Sequence, residues 1–99
     1  MEKEQKVIFR TKARYSLENV ALYIEQKGYP ETAEQYVQRM IDFGNSLDLF
    51  PEKYPLCRFP KLAKRKLHCA IFEQTYVFIY KIIHGKLIVY NIIHGKALK

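Results

Sequence analysis

Two apolar segments near the end of the chain constrain its fold most. Tyr76 to Ile83 and Leu87 to Ile93 are rich in β-branched and aromatic residues, and a tight turn at His84-Gly85 separates them. This pattern predicts an antiparallel pair of strands. Because side chains on both faces of the pair are apolar, each face needs a cover.

The first half of the chain has the apolar spacing of two helices. The first is predicted from Ala13 to Lys27, and Gly28 ends it. The second is predicted from Glu31 to Leu49, with Pro30 suited to its first turn. Gly44 lies on the apolar stripe of the second helix, where it would let the first helix approach closely. The two helices form a hairpin.

Two further strands complete the predicted fold. Lys6 to Arg10 favours a first strand, and Lys66 to Phe72 alternates with Leu67, Cys69 and Ile71 on one face. The 99 residues are therefore expected to form one domain, residues 1–99. Its class is α+β with the order β-α-α-β-β-β, a helical hairpin packed on one face of a small antiparallel sheet.

The second face of this sheet has no predicted cover. Two helices can cover only one side, and exposed apolar surface of this kind usually marks a partner site. The open face is expected to carry either Tyr76, Phe78, Tyr80 and Tyr90 or the residues that alternate with them.

Positive charge is concentrated in the second half. Residues 1–50 carry 7 Lys and Arg against 8 Asp and Glu, whereas residues 51–99 carry 10 against 2. Such a basic field attracts nucleic acid or an acidic protein. The candidate binding residues are the aromatic residues Tyr76, Tyr80 and Tyr90 and the cationic residues Arg58, Lys61, Lys64, Lys66 and Lys96. A solvated basic face without a ligand has the same composition.

The candidate catalytic residues are Arg65, His68 and His94. A base, an acid and cations are enough for a 2′-hydroxyl to attack the neighbouring phosphate of RNA, so a metal-independent endoribonuclease is one possible activity. The predicted hairpin register pairs His94 near Thr75 and puts His68 beside Tyr80, so the histidines lie too far apart to share a metal. No metal and no cofactor is expected.

The N-terminal residues Met1 to Lys6 are charged, and no apolar stretch reaches the ~20 residues of a membrane helix. The chain is therefore expected to be cytoplasmic, with no membrane partner. Cys57 and Cys69 lack a CxxC spacing and are expected to be reduced, buried side chains.

The sequence resembles the RelE/ParE toxin superfamily, which includes plasmid stabilisation proteins, over about 90 residues. The order of a strand, a helical hairpin and three strands carries this resemblance. The matching residues are Ala13, Leu17, Val20, Ile24, Gly28-Tyr29-Pro30-Glu31-Thr32-Ala33, residues 47–51, Tyr76-Val77-Phe78-Ile79-Tyr80 and Ile92-Ile93-His94-Gly95-Lys96. The resemblance implies the toxin of a type II toxin–antitoxin system, neutralised by an antitoxin that is often acidic, and a homodimer stays possible.

The superfamily has two activities, and the sequence is more similar to the ParE-like inhibitors of DNA gyrase. RelE-like members, which cut messenger RNA on the ribosome, often have Tyr-Arg in the central strand, where this chain has Tyr76-Val77. After the last strand the chain has His94 and then five residues without a tyrosine. Its final basic segment is short for a ParE-like member. The alternatives are therefore a ribosome-dependent endonuclease or a non-toxic binding module.

Overall fold

The computed structural model describes residues 7–98 and has two long helices beside a four-stranded sheet. The elements are β1 (Val7–Phe9), α1 (Thr11–Gln26), α2 (Pro30–Ser46), α3 (Pro60–Lys64), β2 (His68–Phe72), β3 (Tyr76–Ile83), β4 (Lys86–His94) and a final 3-10 turn (Gly95–Leu98). Within this range, each helix is too short or too polar to cross a membrane.

The α+β fold predicted from the sequence is confirmed, with a mixed sheet. The strand order is β1-β4-β3-β2, and the two pairs formed by β2, β3 and β4 are antiparallel. β1 instead pairs with β4 in parallel, Val7 opposite Leu87, so the expectation of a wholly antiparallel sheet is wrong for this pair. The helical hairpin lies between β1 and β4 in the chain. A connection this long allows β4 to run either parallel or antiparallel to β1.

The predicted hairpin register is confirmed apart from one bulge. Ile83 lies opposite Lys86 and His68 opposite Tyr80, as the sequence predicts. A register shift between Ile79 and Tyr80 places His94 opposite Tyr76, one residue from the predicted neighbour.

The main core lies between the helices and one face of the sheet. Phe78 and Tyr80 are 0% exposed there, and Tyr76 packs against the same cluster. Of the two faces that the sequence left open, the one with Tyr76, Phe78 and Tyr80 is therefore the covered face, because the pleat points these side chains towards α1 and α2. Tyr90 lies on the other face, with Val77 and Ile79.

Gly44 is a packing residue, but against the sheet rather than against the first helix. A Cβ at this position would lie 2.5 Å from Cζ of Phe9 and 3.2 Å from Phe78. The absence of a side chain therefore lets α2 lie close to β1 and β3.

The second face of the sheet is partly covered by the chain itself. Residues 55–67 pass over it, and Cys57 and Leu67 pack with Val77 and Ile79 in a second small core. Cys57 and Cys69 form a disulfide, so the expectation of two reduced thiols is wrong. Leu56 pairs with His68 across an antiparallel bridge, and this pairing brings the two cysteine Cα atoms to 4.9 Å.

Tyr80 links the sheet to the loop that follows α2. Its hydroxyl donates a hydrogen bond of 2.6 Å to the carbonyl of Pro51, and burial raises the pKa of Tyr80 to about 12. A raised pKa means that the folded state favours the neutral phenol. This contribution to stability is therefore complete below 10.0, the ordinary pKa of a tyrosine, and is lost as the pH rises through 12.

We expect Tyr80→Phe to lower the free energy of unfolding by about 1–2 kcal/mol at pH 7, because the partly buried carbonyl of Pro51 loses its donor. Between pH 10 and 12 the wild-type protein should lose stability more steeply than the variant. Urea unfolding at pH 7, 9, 10.5 and 11.5 measures both effects. Parallel pH profiles for the two proteins would contradict the role assigned to the Tyr80 hydroxyl.

Candidate functional site: the disulfide loop and its groove

The basic run of the sequence forms a loop closed by the disulfide. We call residues 57–69 the disulfide loop. It contains no Asp or Glu, and its five cationic side chains are all exposed or partly exposed: Arg58, Lys61, Lys64, Arg65 and Lys66. Since the chain has a formal net charge of +7, this loop of 13 residues carries most of the excess.

The disulfide loop begins and ends beside the edge strand β2. The backbone N–H of Cys57 donates to the carbonyl of Leu67 over 2.8 Å, and that of Cys69 donates to Pro55 over 3.3 Å. Lys66 adopts a left-handed backbone conformation with φ 63°, which turns the chain from α3 back towards β2. The loop is therefore held to the sheet at its two ends.

A groove of about 450 Å³ runs along the base of the disulfide loop, and we call it the groove. Its lining residues come from the start of the loop, from β2 and β3 and from the adjoining turns: Tyr54, Pro55, Arg58, Phe59, Cys69, Ile71, Gln74, Thr75, Val77 and Gly95. Ile71 is 60% exposed, which is unusual for an isoleucine in a strand. The groove is thus mainly apolar, with Arg58 as its one cationic lining residue.

Two arginines flank Tyr90 on the same side of the sheet. The guanidinium carbon of Arg10 lies 4.9 Å from the centre of the Tyr90 ring, and that of Arg65 lies 5.7 Å from it. Both distances are typical of cation–π contacts. Within residues 7–98 the one ion pair joins Arg39 to Glu73, so neither arginine is paired with an acidic side chain of that range.

The sheet separates Arg65 from the two candidate histidines. Arg65 lies over Tyr90 on the second face. His68 stacks on Tyr80 on the helical side, with its Nδ1 2.7 Å from the carbonyl oxygen of Tyr54. His94 packs edge-on against Tyr76, its ring centre 5.4 Å away. His68 therefore serves the packing of the Tyr54 segment, and its ring lies on the other face of the sheet from the guanidinium of Arg65.

The remaining candidate binding residues lie in several places. Tyr80 is completely buried, and Tyr76 packs against the helical core, so neither offers its ring to a partner on the second face. Lys64 lies in α3 and Lys66 in the turn after it, so neither belongs to the strand that begins at His68. Arg58, Lys61, Lys64 and Lys66 lie together in the disulfide loop, and Lys96 is exposed after β4.

Sequence reasoning missed part of this site. The alternation of β2 puts Cys69 and Ile71 on one face, as the structure does, but no pattern pairs Cys69 with Cys57. Arg10 follows β1 and lies far from the basic run in sequence. Its position over Tyr90 depends on the parallel pairing of β1 with β4.

Comparison with known proteins assigns this chain to a family. The family model of the ParE toxin of type II toxin–antitoxin systems matches residues 7–98. A solved structure described as the chromosomal ParDE toxin–antitoxin system from P. aeruginosa is similar in fold, with a TM-score of 0.78 and 13% sequence identity over 91% of this chain and 95% of that chain. No curated protein sequence matches significantly. The resemblance noted in the sequence is thereby confirmed, and the chain belongs to the ParE toxin family of type II toxin–antitoxin systems.

Proposed function

We propose that this toxin inhibits DNA gyrase in the cytoplasm and is neutralised by an antitoxin. The match to the ParE toxin family over residues 7–98 carries the proposal. The position of Arg65 on the other side of the sheet from His68 favours this activity over RNA cleavage, because a phosphate needs its acid, base and cation together.

The antitoxin segment that neutralises the toxin binds in the groove and against the disulfide loop. An apolar side chain of that segment packs on Ile71 and Val77, which line the groove. Acidic residues beside it face the five cations of the disulfide loop, a segment that itself contains no Asp or Glu. Complementary charge of this kind speeds the encounter and selects an acidic partner.

A supercoiling assay tests the gyrase proposal. Purified toxin at micromolar concentration is expected to stop gyrase from supercoiling relaxed plasmid, and prior addition of the antitoxin should restore the reaction. A translated message incubated with ribosomes and the same toxin should stay intact.

The triple variant Arg65→Ala, His68→Ala, His94→Ala distinguishes the two activities. If the wild-type protein cleaves the message and this variant does not, the toxin is a ribonuclease and the gyrase proposal is wrong. Unimpeded supercoiling together with an intact message and harmless expression would leave only a binding module.

A further inference from the structure

The disulfide joins the loop that carries the cationic residues to the edge of the sheet. We propose that Cys57–Cys69 is a redox-modification site, at which a thiol reductant opens the disulfide and releases the disulfide loop from β2. The bond lies beside both functional features of this surface, because all five cations are between the two cysteines and Cys69 lines the groove.

The two cysteine residues differ in exposure. Cys57 is 3% exposed in the second core, whereas Cys69 is partly exposed and lines the open groove. An attacking thiolate therefore reaches Cys69 from the groove. Reactivity of a disulfide towards thiols depends on such access as well as on the thiolate itself.

The reaction is thiol–disulfide exchange with two small thiols, such as two molecules of glutathione. The first thiolate bonds to the sulfur of Cys69, and the sulfur of Cys57 leaves as a thiolate and takes up a proton. The second thiolate attacks the small-molecule sulfur of this mixed disulfide and displaces the thiolate of Cys69, which is then protonated. The protein disulfide is reduced by two electrons, and two thiols are oxidised to one disulfide.

Once the bond is open, the loop keeps the packing of Leu62 and Leu67 in the second core, the contact of Arg65 with Tyr90 and the hydrogen bonds at its two ends. Its ends make the hydrogen bonds from Cys57 to Leu67 and from Cys69 to Pro55, both next to the disulfide. α3 has only five residues, lacks a side-chain cap and contains no buried residue. Apart from Cys57, Leu67 is the one residue of the loop that is fully buried, so the loop opens more readily than the strands beneath it.

Opening the disulfide changes the surface that faces a partner. Tyr54, Pro55, Arg58 and Phe59 form one side of the groove, and the disulfide holds that side next to β2. In the cytoplasm, where small thiols keep most cysteines reduced, a disulfide of this kind is usually transient or redox-sensing. The oxidised protein therefore has an ordered groove, and the reduced protein has a mobile cationic loop.

Hydrogen exchange of the full chain tests this proposal without any antitoxin, so its outcome is independent of the proposed function. The protein is compared after oxidation by glutathione disulfide and after reduction by reduced glutathione, with alkylation and mass measurement to count thiols. Amides in residues 55–69 are expected to exchange at least fivefold faster in the reduced form, whereas those of β3 and β4 change less than twofold. Reoxidation of the same sample should restore slow exchange.

The double variant Cys57→Ser, Cys69→Ser is the matched control. It should exchange rapidly in residues 55–69 and should not respond to either form of glutathione. If the variant does not fold, hydrogen exchange of the wild-type protein after reduction and after reoxidation still tests the proposal. Equal exchange of residues 55–69 in the two wild-type forms would overturn the proposal, and so would a disulfide that glutathione reduces only after the protein is unfolded in urea.

Discussion

Replacing Phe78 with alanine is expected to lower the free energy of unfolding by about 3–5 kcal/mol. Phe78 is 0% exposed, and its ring centre lies 5.0 Å from that of Phe43 and 6.2 Å from that of Phe72. The edge of the Phe78 ring also packs against the backbone of α2 at Gly44. Truncation therefore removes contacts among β3, β2 and α2 and leaves a cavity between rigid elements that cannot collapse to fill it.

Urea unfolding and thermal melting measure this loss, and a fall in Tm of roughly 15 °C or more is expected for a domain of this size. Phe50→Ala is the matched control, because Phe50 is 72% exposed and the same atoms are removed. It should change stability by no more than about 0.5 kcal/mol. Similar losses for the two variants would mean that Phe78 is not central to the core.

The helices and strands could be predicted because the spacing of their apolar residues distinguishes a helix from a strand. β3 was predicted at its observed bounds, Tyr76 to Ile83, since β-branched and aromatic residues fill it and Thr75 and His84-Gly85 bound it. The residue spacing did not fix which face of this strand meets the helices. A strand that is apolar on both faces fits either orientation, so only the structure shows that Phe78 and Tyr80 face the helices.

The position of the functional surface depended on contacts between distant parts of the chain. The basic run was visible as a composition, but its closure into a loop required Leu56 to pair with His68. Neither the spacing of Cys57 and Cys69 nor the expected compartment indicated a bond. The cover that residues 55–67 give to Val77 and Ile79 was missed for the same reason, because three prolines in residues 51–60 favour a loop without fixing its path.

Residues 55–67 cover Val77 and Ile79 but leave the groove open. Ile71→Asp, a change in this groove, is expected to weaken antitoxin binding at least 30-fold. Ile71 is 60% exposed in the free toxin and lines the groove, so a carboxylate there stays hydrated until a partner covers it. Burying that carboxylate against an apolar side chain costs about 2 kcal/mol or more, which corresponds to roughly a 30-fold change in Kd. Its negative charge also repels the acidic residues proposed for the antitoxin.

Leu49→Asp is the matched control, since Leu49 is an aliphatic residue of similar exposure, 68%, in the loop after α2 and outside the groove. Calorimetric titration of each variant with the antitoxin should give a Kd within about twofold of wild type for Leu49→Asp and the large loss for Ile71→Asp, while both proteins melt near the wild-type temperature. If Leu49→Asp weakens binding more than Ile71→Asp does, the antitoxin covers the loop after α2 instead of the groove.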